Sequence, residues 1–225
     1  MQIHLPSTTP ATVFLASASP RRLDLLRQVG VELQLLAPLP DEDGEALEVV
    51  LHGEQPVDYV QRVTRLKLEA AQQRLQRVHP GVAPDTALLL CADTTVALHG
   101  QILGKPEDAA DAARILSTLS GQTHEVLTAV CLRRGDVQHA ALQISQVRFA
   151  SLSAQDIADY IASGEPFGKA GAYAIQGRAA AFIEHISGSA SGIIGLPLYE
   201  TLRLLRAAGW QRGPHTPSQH ETSRS

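Results

Sequence analysis

The chain has 225 residues, 44% of them apolar, with 19 Lys+Arg against 23 Asp+Glu and a formal net charge of −4. This balance excludes a general electrostatic grip on nucleic acid, and no apolar run approaches the ~20 residues needed to cross a bilayer. Residues 1–10 lack the basic and apolar regions of a secretion signal, and Cys91 and Cys131 make neither a disulfide framework nor a four-ligand zinc set, so the expectation is a soluble, cytoplasmic α/β domain.

The elements alternate between strand and helix. Thr12–Ala16 reads as a short buried strand. Ser19–Val29 reads as a helix, with Ser19 as N-cap, Pro20 at the first position and Gly30 past the end. Val31–Leu36 is the next strand, and residues 38–56 form an acidic loop. Val57–Val78 is a long two-faced helix, followed by a turn over His79–Asp85. The apolar run Ala87–Ala92 suits a strand covered on both faces. Val96–Leu103 reads as a hairpin turning at His99-Gly100. A helix over Ala109–Leu119 and strands Glu125–Arg133 and Val137–Phe149 follow. Ser153-Ala-Gln-Asp156 resembles a capping box for a helix ending near Gly164. Gly164–Gly177 is a loop of small residues, and Pro197–Ala208 is a last helix stopped by Gly209.

Three groups of residues could carry chemistry. In Ser17-Ala-Ser-Pro-Arg-Arg22 two arginines occupy the first turn of a helix, the positive end of its dipole, where cations are disfavoured. A bound anion would explain Arg21 and Arg22 there; pairing with local acids or solvation would explain them equally. Asp93 follows the apolar run, which would deliver it to the carboxyl edge of the sheet beside Thr94 and Thr95. There it could hold a cation or accept a proton, or merely cap a turn. Lys67, Lys105 and Lys169 make the third group; for Lys67, on a long helix, solvation is the default. The strings around Lys105 and Lys169 are not P-loops, because the glycine spacing is short and no Ser or Thr follows the lysine. Cys91 and His124 read as structural.

Taken together, these residues resemble the Maf family of nucleotide pyrophosphatases, or septum formation inhibitor-like proteins. The matching stretches are LASASPRR (15–22), YVQRVTRLK (59–67), ADTTV (92–96), GKPED (104–108), SGQTHEVLTAV (120–130), GEPFGKAGAYAIQG (164–177) and IIGLPLYET (193–201). The resemblance implies an α/β fold like that of the inosine-triphosphate pyrophosphatases: a mixed twisted sheet with flanking helices and a central cleft. It places one domain over 11–210, an extension at 1–10 and a flexible tail at 211–225. It implies a cytoplasmic, often dimeric enzyme that uses Mg²⁺ or Mn²⁺ to cleave a nucleoside triphosphate to monophosphate and pyrophosphate.

By the same resemblance Asp93 is the proton acceptor and a metal ligand, with Glu42 beside it. Ser19, Arg21, Arg22, Lys67, Thr94, Lys105 and Gln176 bind substrate. KAGAYAIQG looks like the branch acting on dTTP and UTP, with Arg21, Thr94 and Gln176 at the positions that mark it. A glutamine amide offers both a donor and an acceptor to a pyrimidine edge. Departures are Gly168 where the family often has an acid, Ser191-Gly192 where asparagine is frequent, and a poor match over 43–55. The alternatives are a nucleotide-binding regulator of cell division with little turnover, a pyrophosphatase for 7-methyl-GTP or other modified nucleotides, and a nucleic-acid-binding module. The last is disfavoured by the charge balance and the 4% aromatic content.

Overall fold

The apolar run at 87–92 is one half of a longer strand. The computed structural model describes residues 11–212. In it the elements are β1 (Thr12–Leu15), α1 (Pro20–Gln28), β2 (Leu33–Leu35), α2 (Pro56–Val78), β3 (Ala87–Leu98), β4 (Gln101–Leu103), α3 (Ala109–Leu119), β5 (Thr123–Arg134), β6 (Val137–Phe149), α4 (Ala154–Ala162), β7 (Ile183–Ser187), α5 (Ala190–Ile194) and α6 (Leu198–Ala207). Seven strands form one mixed sheet in the order β2-β1-β3-β5-β6-β7, with β4 paired to β3. β1 runs parallel to β2 and β3; every other pairing is antiparallel.

β3 thus continues through Asp93 instead of ending before it, because the ladder to β5 runs unbroken from Leu89↔Arg133 to Ala97↔Glu125. The hairpin at His99-Gly100 is as expected, both residues having positive φ (52° and 79°), as a tight two-residue hairpin turn requires. Pro20 and Pro56 open α1 and α2. Ser153 and Asp156 form the anticipated reciprocal cap of α4. Ser19 occupies the N-cap of α1, but its side chain makes no cap bond; its own N–H donates to Ser17 Oγ at 3.0 Å. The stretch between the small-residue loop and the last helix, unassigned from sequence, holds a 3₁₀ turn (Arg178–Phe182), β7 and α5. Residues 1–10 and most of the tail at 211–225 lie outside the described residues.

Successive side chains of β3 point to opposite faces. α2 covers one face, packing Leu68, Ala71 and Leu75 on Phe14, Leu89 and Cys91, and Val60 and Val63 on Ala97, Leu127 and Ala129. The other face is split. Leu88 and Leu90 pack with Leu26 and Leu205, whereas Val96 and Leu98 pack with Ile115, Leu116 and Phe149. Each fully buried leucine or phenylalanine in these clusters contributes about 1.5–3 kcal/mol over its exposed state. No described helix is long and apolar enough to cross a membrane.

Candidate active site

The cleft lies where two strand pairings on one edge of β3 fail to meet. β1 leaves that edge at Leu90, and β4 joins it at Val96. The intervening residues have no strand beside them there, and a cavity of about 740 Å³ opens over them. Asp93 and Thr94 stand at this opening and point to opposite faces of the sheet.

Asp93 is buried on the α2 side, at 7% exposure. Lys67 reaches it from α2, with Nζ 2.5 Å from Oδ1. The same ammonium lies 2.7 Å from Glu48 Oε1, and Glu48 Oε2 lies 2.7 Å from Lys105 Nζ. A chain of alternating charge therefore runs Asp93, Lys67, Glu48, Lys105. Burial works against the charged form of Glu48, but Lys67 and Lys105 outweigh it and hold the carboxyl below its ordinary range. For Lys105, too, burial opposes the charge, and the hydrogen bond to Glu48 prevails, raising its pKa. The acidic loop is fixed from behind by α2. Tyr59 O–H donates to Glu48 C=O at 2.9 Å, Arg62 donates to Val49 C=O at 2.8 Å, and Arg62 grips Glu54 with two nitrogens.

Arg22 occupies the Thr94 side. Its Nε donates to Gly195 C=O at 2.8 Å, Nη1 to Ser17 Oγ at 3.3 Å and Nη2 to Thr94 Oγ1 at 3.4 Å. Thr94 and Thr128 share a hydroxyl contact at 3.0 Å, and Thr128 donates to Gly192 C=O. Burial lowers the pKa of Arg22 while Asp93 opposes that shift. Arg21 is lowered by burial too, and its buried Nε has no hydrogen-bond partner among the described residues. Lys169 donates to Phe167 C=O at 3.0 Å; burial and then repulsion from Arg21 depress its pKa. Among the described residues no carboxylate forms a salt bridge with Arg21, Arg22 or Lys169. Pairing with local acids is thereby removed as an account of the two arginines. The cavity carries uncompensated positive charge on one wall and a compensated ion chain on the other.

Ser19, Arg21, Arg22, Glu42, Lys67, Asp93, Thr94, Lys105, Lys169 and Gln176 all line this one cavity. Three expectations change. Asp93 lies inside a strand, beyond the carboxyl end of its parallel neighbour β1. Lys67 is ion-paired on both sides instead of solvated. Glu42 is turned to Arg74, whose Nε lies 3.0 Å and 2.9 Å from its two oxygens and whose Nη2 contacts Oε2. Arg74 also donates to Leu36 C=O at 2.9 Å, so it ties the loop to the sheet.

Glu48, Tyr59, Arg74 and Thr128 went unnoticed in the sequence. Arg74 had a signal: it shares the stripe of Val60, Thr64, Lys67 and Ala71 on α2, where a charged residue faces inward. Glu48 had none, being one of six acids in an aperiodic loop. Cys91 is buried, its thiol pushed up to about 12 by desolvation, which suits a structural role.

No group of three or more His, Cys, Asp or Glu poised for a metal occurs among the described residues. Two carboxylates, Asp93 and Glu48, nevertheless converge on one cation, the Lys67 ammonium. Such a pair of hard oxygen donors fits a hard divalent cation.

The model of Maf-like proteins matches residues 12–208. A dTTP/UTP pyrophosphatase of Polaromonas sp. (strain JS666 / ATCC BAA-500) is 62% identical over 197 residues, 88% of this chain and 96% of that protein. A dTTP/UTP pyrophosphatase of Ralstonia nicotianae is 60% identical over 87% of this chain and 93% of its own. One from Albidiferax ferrireducens is 56% identical over 88% and 98%.

Proposed function

The chain belongs to the Maf family, and from that premise we propose that it is a hydrolase cleaving dTTP and UTP to the nucleoside monophosphate and pyrophosphate. The observation that carries this reading is the convergence of Arg21, Arg22, Lys67, Lys105 and Lys169 with Asp93 around one cavity. A triphosphate brings about four negative charges near neutral pH, and among the described residues Arg21, Arg22 and Lys169 form no salt bridge. The relatives named dTTP/UTP pyrophosphatase support the same substrate class.

In this reading water attacks the α-phosphorus and the bond to the α–β bridging oxygen breaks. Asp93 orients that water and accepts its proton, a contribution of about 10²–10⁴ in rate. Arg21 and Arg22 grip phosphate oxygens in the planar, two-pronged manner of guanidinium, and Lys67, Lys105 and Lys169 act as point charges on the departing pyrophosphate. Thr94 and Ser17 hold Arg22, and Ser19, at the start of α1, offers its hydroxyl to a phosphate oxygen. A divalent cation held by Asp93 and Glu48 would supply charge neutralisation and acidify the attacking water. We assign the second carboxylate to Glu48 because Arg74 occupies Glu42. Gln176 reads the pyrimidine edge. A homodimer in the cytoplasm belongs to this reading.

The test is pyrophosphate release by the purified chain from UTP, dTTP, CTP, GTP and 7-methyl-GTP, with Mg²⁺ or Mn²⁺ and with chelator. Metal-dependent release from UTP and dTTP above the others is expected. Tight nucleotide binding without release would return the chain to the regulator class.

A further inference from the structure

Gln176 is exposed on the cavity wall, so packing against its side chain does not fix it. Its place must come from the backbone on either side, and both sides are held by one pair of residues. Tyr160, on α4 and 2% exposed, accepts the Ala174 N–H at 3.2 Å through its hydroxyl oxygen. The same hydroxyl donates to Glu165 Oε1 at 2.9 Å. Glu165 Oε2 accepts the Arg178 N–H at 3.0 Å. Residue 177 lies flat against this carboxylate: a Cβ there would stand 2.2 Å from Oε1 and 2.3 Å from Cδ. The φ of Gly177 is −110°, so a side chain there would meet the Glu165 carboxylate and displace it, with no backbone strain of its own.

The far end of the loop is fastened separately. Gly171 N–H donates to Gly104 C=O at 3.0 Å, and a Cβ at Gly171 would strike Val96 at 2.9 Å. The loop is therefore pinned on the β4 end through Gly171 and behind Gln176 through Glu165. Glu165 forms no salt bridge with any described residue. Its charge is spent on a hydroxyl and a backbone N–H, bonds roughly twice as strong as neutral ones.

We propose that Glu165 is a positioning residue for base recognition: with Tyr160 it clamps residues 174–178 and so sets where Gln176 meets the base. This rests on the reading of the site as a pyrimidine nucleotide pyrophosphatase. The cleavage end is held by other contacts, those among Lys67, Asp93, Glu48 and Lys105. Loosening Glu165 therefore leaves that end assembled and moves only the base end.

The experiment compares kcat and KM for UTP and GTP in the full chain and in Glu165→Ala, Glu165→Gln and Tyr160→Phe. A glutamine can still accept from Arg178 N–H and donate to the Tyr160 oxygen. In Glu165→Ala the KM for UTP should rise about tenfold with kcat kept within about threefold, and the preference for UTP over GTP should narrow by the same factor. Glu165→Gln should restore most of the loss, and Tyr160→Phe, which removes only a hydroxyl, should shift KM in the same direction by less. An unchanged KM in both Glu165→Ala and Tyr160→Phe overturns the proposal, as does an equal loss for UTP and GTP. Wild-type protein with no preference for UTP overturns the functional reading itself, and with it this one. A preference that persists undiminished in the variants overturns only the clamp.

Discussion

Lys67 Nζ stands 2.5 Å from Asp93 Oδ1, joining the long helix α2 to the central strand β3 across 26 residues of sequence. One cation thus holds the carboxylate that is assigned the proton, and it does so from the helix that also carries the loop of Glu48. Turning Lys67 away would leave the buried Asp93 carboxylate without this ion pair, and turning Asp93 away would leave Lys67 paired with Glu48.

Replacing Asp93 by Asn should keep the fold, because Lys67 retains Glu48 at 2.7 Å. Turnover of UTP should fall at least ~10²-fold. Steady-state kinetics beside a thermal melt checks both halves. Near-normal turnover would remove Asp93 from the chemistry.

Glu48 and Glu42 should fail in different ways. Glu48→Gln removes a carboxylate shared with Lys67 and Lys105, and the metal concentration for half-maximal activity should rise at least ~10-fold. Glu42→Gln leaves Arg74, whose side chain is 7% exposed, without its charged partner, and should cost about 1–3 kcal/mol of stability. Metal titration and urea unfolding of both variants separate the roles. The reverse pattern would return the metal to Glu42.

Gln176→Glu exchanges an amide for a group that only accepts hydrogen bonds when ionised. The kcat/KM for UTP and dTTP should drop at least about tenfold while the melting temperature stays near that of wild type. An unchanged preference across the nucleotide panel would take base readout away from this residue.

His124 gives the fold a pH dependence. It is 1% exposed, its Nε2 lies 2.8 Å from Tyr173 Oη, and its buried Nδ1 has no hydrogen-bond partner among the described residues. Burial pushes its pKa down to about 4. The unfolded chain takes up this proton near pH ~6.5, so the unfolded state binds more protons between the two values. Stability is complete above ~6.5 and falls as the pH drops toward 4, by on the order of 3 kcal/mol in all. His124→Phe should abolish that part of the slope at a pH-independent cost of about 1–3 kcal/mol for the unpartnered Tyr173 hydroxyl. Urea unfolding at pH 7 and pH 4.5 reads the difference. Equal slopes in wild type and variant would assign the acid sensitivity elsewhere.

Much of this architecture is legible one residue at a time. The apolar run at 87–92, Pro20, the reciprocal Ser153–Asp156 cap and the His99-Gly100 turn each act over a few residues, and each appears in the fold. α5 and β7 escaped because five-residue elements with Ser and Gly around them carry no period to read. The length of β3 escaped for another reason. Asp93 and Thr94 look like the end of an apolar strand, and only pairing with β5 carries the strand through them.

From the sequence alone came the identity of the charged residues, the helices and strands that bear them, and through seven ordered motifs the family. Those properties depend on local backbone preference and on short spacing, which a linear chain records. The tertiary structure alone decided that Glu48 shares Lys67 with Asp93 while Glu42 pairs with Arg74, that Arg21 and Arg22 form no salt bridge among the described residues, and that Glu165 grips the backbone behind Gln176. Partnership between charges follows from distance in space, falling off within a few ångströms. In this fold that distance is set by where β1 stops and β4 begins along β3.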